Sequence, residues 1–255
     1  MANFFKTCLK GFYMSLGLFC AIPLPARIWD DSCKHLVLPC LPLAGILIGA
    51  IWWGAAELLV LSGVHLFLTA AAVAVSPFLL TGFLHLDGYM DTSDAILSRR
   101  PLEEKLRILK DPHAGAFAVI ALVILAIMQF AALYAIVDGE KNLAMLAFIA
   151  VISRCCSSLA LFCLKIMPQS GFAAMLRQNT KTMHKIFVIM LAVSAGTAAF
   201  LYAGLHALAV LLCVIAGFAG ALACSYREFK GVSGDLTGHS LVLGELCGLI
   251  ALAVI

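Results

Sequence analysis

The stretch His85-Leu86-Asp87-Gly88-Tyr89-Met90-Asp91-Thr92-Ser93-Asp94 places three carboxylates at i, i+4 and i+7. On a helix these positions share one face, with neighbouring Cβ atoms about 5 to 6 Å apart. Two unit charges at that distance repel by about 3 kcal/mol at an effective dielectric of about 20, so the cluster calls for a positive partner. No Lys or Arg stands three or four residues from any of the three aspartates; Arg99 and Arg100 come later. A divalent cation is the expected partner. Mg²⁺ takes one or two carboxylates and fills its shell with substrate phosphate oxygens, so the expected chemistry is at a diphosphate, with Asp87, Asp91 and Asp94 as metal ligands. The competing expectation is an acidic face that is merely solvated.

The residues that follow suit the same chemistry. Lys105-Leu106-Arg107-Ile108-Leu109-Lys110 is basic and amphipathic, and Lys and Arg pair with phosphate; Arg99 and Arg100 serve equally well as anchors to anionic lipid. Asp111 is a further candidate ligand or general base, and His113 beside it is a weaker substrate-binding candidate. Gly231-Val232-Ser233-Gly234-Asp235-Leu236-Thr237-Gly238-His239 is glycine-rich, and such a loop lets backbone N–H groups approach phosphate oxygens. Ser233, Gly234 and Gly238 are therefore substrate-binding candidates. Arg154 interrupts an apolar run, where a charge is costly and by default functional; it contacts phosphate or pairs with Glu57 or Glu245.

The elements that must hold these groups are membrane helices. The chain has 255 residues, 63% of them hydrophobic and 12% charged, with a mean hydropathy of +1.05. Soluble domains are about half apolar and a quarter charged. Spans are expected near 36–62, 65–86, 115–137, 143–165, 186–204, 206–226 and 240–255, the fifth and sixth close enough to form a tight hairpin. Residues 3–24 are apolar but carry Gly11, Gly17 and Pro23, with Lys6 and Lys10 alongside, which suits an interfacial or re-entrant helix. A cleaved signal peptide is the rival reading there, disfavoured because Leu24-Pro25-Ala26 lacks the small residues a peptidase wants. The expected fold is thus all-α: a single transmembrane domain, residues 1–255, of about seven helices plus the N-terminal one, with a site loop at 85–114. The ten cysteines are scattered and form no C-x-x-C, so they read as packing residues.

Fifteen of the 17 Lys and Arg residues fall before the first span or in 87–114, 165–185 and 227–239. Strict alternation of seven spans puts those regions on one side, which the positive-inside rule makes cytoplasmic. The polar candidates above lie on that side, in the cell (inner) membrane.

A resemblance rests on these residues. H-x-D-G-x-x-D-x-x-D at His85 to Asp94, then Lys110-Asp111 and Gly115-Ala116-Phe117, is similar to the cobalamin synthase (adenosylcobinamide-GDP ribazoletransferase) family. Ile22-Pro23-Leu24-Pro25, Leu41-Pro42-Leu43-Ala44-Gly45, Ser153-Arg154 and Ser233-Gly234-Asp235 with Gly238 extend it over nearly the whole chain. Cys20-Ala21 stands where the family usually has T-R, Ala95 follows the third aspartate in place of glycine, and Val242 replaces one member of a C-terminal acidic pair whose other member is Glu245. The resemblance implies transfer of the cobinamide phosphate group of adenosylcobinamide-GDP to α-ribazole or its 5′-phosphate, with release of GMP. It implies Mg²⁺ on Asp87, Asp91 and Asp94, phosphate contacts from Lys110 and Arg154 with His85 nearby, and Asp111 or Asp235 orienting the attacking hydroxyl. The implied partners are those substrates and membrane lipid, not nucleic acid; homo-oligomerisation and association with other enzymes of cobalamin assembly are left open.

Other membrane enzymes of diphosphate substrates are the nearest alternatives. A CDP-alcohol phosphotransferase wants A-R soon after D-G, where this chain has Tyr89-Met90-Asp91, and a prenyltransferase wants two aspartate-rich motifs. A small-molecule transporter, the alternative of another class, concentrates charge near the membrane midplane, where only Arg154 qualifies.

Overall fold

A computed structural model of the chain describes residues 2–26 and 28–255. Arg27, one of the basic residues counted above, lies outside them. The described residues form α1 (Ala2–Phe19), a 3₁₀ turn at Lys34–Leu36, α2 (Val37–Leu61), α3 (Leu66–Leu80), α4 (Leu84–Leu97), α5 (Leu102–Ile108), α6 (Ala116–Asp138), α7 (Met145–Cys163), α8 (Gly171–Arg177), α9 (Thr182–Phe229) and α10 (Gly234–Val254). The all-α expectation holds. Among the described residues five helical stretches are long and apolar enough to cross a membrane, and six if the bent pair α3–α4 makes one span. The expected seven depends on counting the two arms of α9 separately.

Those arms fold back on each other. Gly204 breaks the 48-residue run with non-helical angles, φ 66° and ψ −148°. Val188 lies in one apolar cluster with Phe218 and Leu222, although 30 residues of straight helix would hold two ends about 45 Å apart. The chain therefore reverses at Gly204, giving the hairpin expected there. Hairpin and α10 enclose α7, the most buried of the helices long enough to span.

The expected span 65–86 is corrected. Its helix stops at Leu80, and Gly82 (φ 59°) and Phe83 (φ 62°) adopt left-handed geometry. The Phe83 N–H returns to the Phe78 carbonyl at 2.8 Å, closing off the last turn as helix C-termini do. The axis then turns by 91° into α4. The acidic motif thus lies on a separate helix directed away from the spanning arm, and the expected loop 85–114 is largely α4 and α5.

Backbone groups at membrane depth must be satisfied inside the protein, and side chains here help to do it. Trp52 Nε1 donates to the Val73 carbonyl and Gln129 Nε2 to the Ala74 carbonyl, each at 2.8 Å. These bonds tie α2 and α6 to α3. Outward faces carry Leu201, Leu205, Ile127 and Leu58, as a lipid-facing surface requires. Helix α1, outside the spanning set, buries Met14, Leu16 and Phe19 against α2 and exposes Phe5 and Leu9, an amphipathic arrangement consistent with the interfacial reading.

Candidate active site

Helix α4 buries His85, Leu86, Gly88, Tyr89, Thr92, Ser93 and Ala95. The opposite stripe leaves Asp87 exposed and Asp91 and Asp94 half-buried. Tyr89 fixes the rotation of the helix: its hydroxyl donates to the Ala121 carbonyl at 3.1 Å, and its ring stacks on His239 with centroids 5.5 Å apart.

A fourth carboxylate arrives from α10, because two glycines let the helices touch. A Cβ on Gly88 would stand 2.8 Å from the Asp235 Cα, and one on Gly238 3.4 Å from the His85 carbonyl oxygen. The glycine of the D-G pair is thus a contact point between helices. The glycine-rich stretch 231–239, expected as a phosphate loop, is mostly the first turns of α10. Ser233 caps that helix, its Oγ accepting from the Leu236 N–H at 3.2 Å, and Gly234 opens it.

Electrostatics mark Asp91 as the centre of the cluster. Burial, and then the charges of Asp87, Asp235 and Asp94, push its carboxyl up to about 6. None of these four aspartates makes an ion pair among the described residues. Lys110 shares with Asp235 and Ser233 the wall of a small hollow of about 70 Å³. Asp94 has a second task. Its Oδ1 accepts from the Ala118 N–H at 3.2 Å, and its carboxylate sits against Gly115 at the N-terminus of α6, where the helix dipole favours an anion.

The donor set is all hard carboxylate oxygen, which suits Mg²⁺ or a similar cation. Among the described residues no three His, Cys, Asp or Glu side chains converge as a ready-made metal cage. An ion on this face therefore fits only with a shell completed by water or phosphate oxygens, as Mg²⁺ commonly has.

Three candidates sit apart from this face. Asp111 turns to His113, accepting from its N–H at 3.0 Å and lying 2.8 Å from its Nδ1, in an exposed turn. That contact holds the Asp111 carboxyl below its usual range, and Asp111 does not figure among the charges acting on Asp91. Arg154 takes the structural option: only 1% exposed, it is ion-paired through Nη1 with Glu245 Oε1, which also accepts from Ser153 Oγ at 2.9 Å. Its guanidinium reaches two further oxygens, the Ala150 carbonyl at 3.2 Å and Ser153 Oγ at 3.0 Å.

His85 lies at the inner edge of the site. It is 7% exposed, stacks on Phe19 at 6.3 Å, and its Nε2 is buried without a hydrogen-bond partner. Together with Gly234, Asp235 and Thr237 it lines a cavity of about 320 Å³ that α1, α2, α7 and α8 complete with mainly apolar side chains and the Ser157 hydroxyl. Sequence reasoning missed this cavity. Its available signal was the spacing of Ala173 and Leu176, which puts one apolar face on a short helix inside an otherwise polar connection.

Acidic stripe, neighbouring lysine and adjoining cavity occur in a chain whose residues 11–253 match the family model for cobalamin-5-phosphate synthase. The chain belongs to that family. It is thereby a membrane transferase of cobalamin synthesis. Among its relatives, the adenosylcobinamide-GDP ribazoletransferase of Clostridium botulinum (strain Alaska E43 / Type E3) is 35% identical over 96% of this chain and 98% of the relative. The enzyme of the same name from Clostridium perfringens (strain ATCC 13124) is 35% identical over 98% and 100%. That of Lachnoclostridium phytofermentans is 30% identical over 96% and 94%. No solved structure matches.

Proposed function

We propose that this protein transfers the cobinamide phosphate group of adenosylcobinamide-GDP to α-ribazole or its 5′-phosphate, releasing GMP, at the cytoplasmic face of the inner membrane. The observation that carries the reading is the grouping of Asp87, Asp94 and Asp235 around Asp91, with Lys110 beside Asp235, in a chain whose relatives bear the ribazoletransferase name. A face of four carboxylates repels a diphosphate unless a cation lies between them. Bound Mg²⁺ would neutralise the diphosphate and polarise the phosphorus under attack.

In the reaction a ribose hydroxyl of the ribazole attacks the phosphorus attached to the cobinamide arm. A new P–O bond forms, and the bond from that phosphorus to the oxygen bridging the two phosphates breaks. GMP leaves with that oxygen. Such transfers depend on positioning and charge neutralisation rather than covalent help from the protein. Asp87 and Asp91 would be the primary cation ligands in this reading, and Asp94, one oxygen of which accepts from α6, would add its carboxylate to them. Lys110 steers phosphate oxygens. Asp235, which belongs to both the acidic face and the cavity wall, accepts the hydroxyl proton. Arg154 supports the site from behind, held by Glu245.

The test is GMP release from adenosylcobinamide-GDP and α-ribazole by protein purified into liposomes, with and without Mg²⁺, for wild type and Asp91→Ala. Release that needs both Mg²⁺ and Asp91 is expected. Folded wild-type protein that releases no GMP would refute the reading.

A further inference from the structure

The cavity beside the acidic face has a shape and chemistry that select among the parts of the proposed substrates. Its volume of about 320 Å³ lies at the lower end of the range for small-molecule sites. A corrin macrocycle with its side arms is far too large for it. A single flat base with part of its ribose is of the right order.

Six apolar side chains make up most of its inner wall, Phe19 from α1, Leu38 and Leu41 from α2, Leu161 from α7, and Ala173 and Leu176 from α8, beside the polar groups of His85, Ser157 and Thr237. All six are buried. Guanine carries hydrogen-bonding groups along its edge that would need partners at depth. At depth the Thr237 hydroxyl is already bonded to the Ser233 and Gly234 carbonyls and the His85 Nε2 is covered by protein, which leaves the Ser157 hydroxyl; the amide and the carboxylate among the described lining residues, Gln169 and Asp235, are exposed and so stand at the rim. A base with little polar edge loses nothing in such a wall, whereas an unpaired polar edge is expensive to bury.

Two further features point to an aromatic ligand. At the mouth, Phe172 of α8 lines the opening and stacks on Trp29 with centroids 6.4 Å apart, both rings about half exposed. Flat aromatic surfaces of this kind hold a flat base by offset stacking. Inside, the His85 and Phe19 rings both line the wall, stacked with centroids 6.3 Å apart, so flat aromatic surface continues into the cavity.

We infer that this cavity holds the base of the ribazole substrate, with its ribose directed past Asp235 to the acidic face. The inference rests on the transfer reaction proposed above. It divides the substrates by polarity: the flat base enters the helix bundle under α8, while the corrinoid and the guanosine diphosphate stay on the polar side of Asp235.

Ala173→Phe fills the cavity from α8, and Phe172→Ala removes its aromatic mouth at an exposed position. Steady-state transfer would be measured for both variants, varying each substrate in turn, and binding of radiolabelled α-ribazole alone would be measured on Asp91→Ala and on the double variant Asp91→Ala/Ala173→Phe. The expected result is a rise of about tenfold or more in the KM for α-ribazole in Ala173→Phe, the range that misfit in an apolar pocket produces, with the KM for adenosylcobinamide-GDP within about twofold of wild type. Asp91→Ala alone retains α-ribazole binding, and adding Ala173→Phe removes it. If Ala173→Phe does not fold, a KM rise confined to α-ribazole in Phe172→Ala supports the assignment. A KM rise confined to adenosylcobinamide-GDP would assign the cavity to guanosine and overturn the inference, as would no change in either KM. Wild-type protein that binds α-ribazole but transfers nothing would overturn the reaction and leave the cavity assignment standing; normal transfer by wild type together with an unchanged KM for α-ribazole in both variants would do the reverse.

Discussion

Substituting Glu245 by alanine deletes the anion that faces Arg154 in the interior. The guanidinium is 1% exposed and its Nε already lacks a partner, so it cannot turn to water. Removing one member of a buried pair costs about 3–5 kcal/mol. The lower end applies here, because Nη1 keeps the Ala150 carbonyl and Ser153 Oγ, and Ser153 keeps the Ala150 carbonyl at 3.0 Å as its own acceptor. A loss of about 3 kcal/mol lowers the folding equilibrium constant by about two orders of magnitude. Replacing both residues by methionine removes the stranded charge, and such replacements are often neutral or stabilising. Equilibrium unfolding in mixed micelles, followed by tryptophan fluorescence, should place Glu245→Ala about 3 kcal/mol below wild type and the double methionine variant at least 2 kcal/mol above that single variant. The double variant should also keep GMP release within about tenfold of wild type, a loss of less than about 1.4 kcal/mol in transition-state stabilisation. A Glu245→Ala protein as stable as wild type would refute the account of the pair. A folded double variant with activity lowered more than about a thousandfold would return Arg154 to the substrate.

Asp91→Asn keeps the shape of the side chain and removes its charge, so it should fold normally while Mg²⁺-dependent GMP release falls at least about a hundredfold, measured at saturating substrate. Protonation competes with the cation at the same carboxylate. With Asp91 raised to about 6, its proton is lost above that pH and held below it, so apparent Mg²⁺ affinity should be flat from pH 8 to 7 and about tenfold weaker at pH 5; isothermal titration across that window checks the sign, and affinity that rises on acidification would exclude the arrangement. Gly88→Ala places a Cβ 2.8 Å from the Asp235 Cα, an overpacking that should cost about 1–3 kcal/mol in the unfolding assay and lower kcat as Asp235 is pushed from the acidic face.

Reading the sequence located most helices because membrane spans announce themselves by composition: α2, α6, α7 and α10 lie within a few residues of where apolar runs placed them, α10 starting earlier at Gly234. The acidic stripe was equally legible, since i, i+4, i+7 spacing carries its own geometry. The turn between α3 and α4 was not. Gly82 and Phe83 take left-handed angles, and only the glycine hints at this, amid residues as apolar as the span before them. Arg154 read correctly as costly, yet its partner could not be chosen between Glu57 and Glu245, which helix packing decides. The tie between Asp111 and His113 is local and looked instead like two site residues in succession. The cavity escaped notice because its walls come from six helices scattered along the sequence, and the apolar residues of α2 and α7 are already explained by a membrane core.

The meeting of α4 and α10 at Gly88 and Asp235 ties two properties that proteins usually vary separately. Seating these helices and assembling the acidic face are one movement, because the residue met at the contact is itself one of the four carboxylates. A change that loosens the bundle at this point also dilutes the charge cluster, and one that tightens it sharpens the cluster. Selection for a well-packed membrane protein and selection for a working site then act on a single coordinate, so a stabilising substitution found near this contact by screening for expression alone should also shift cation affinity.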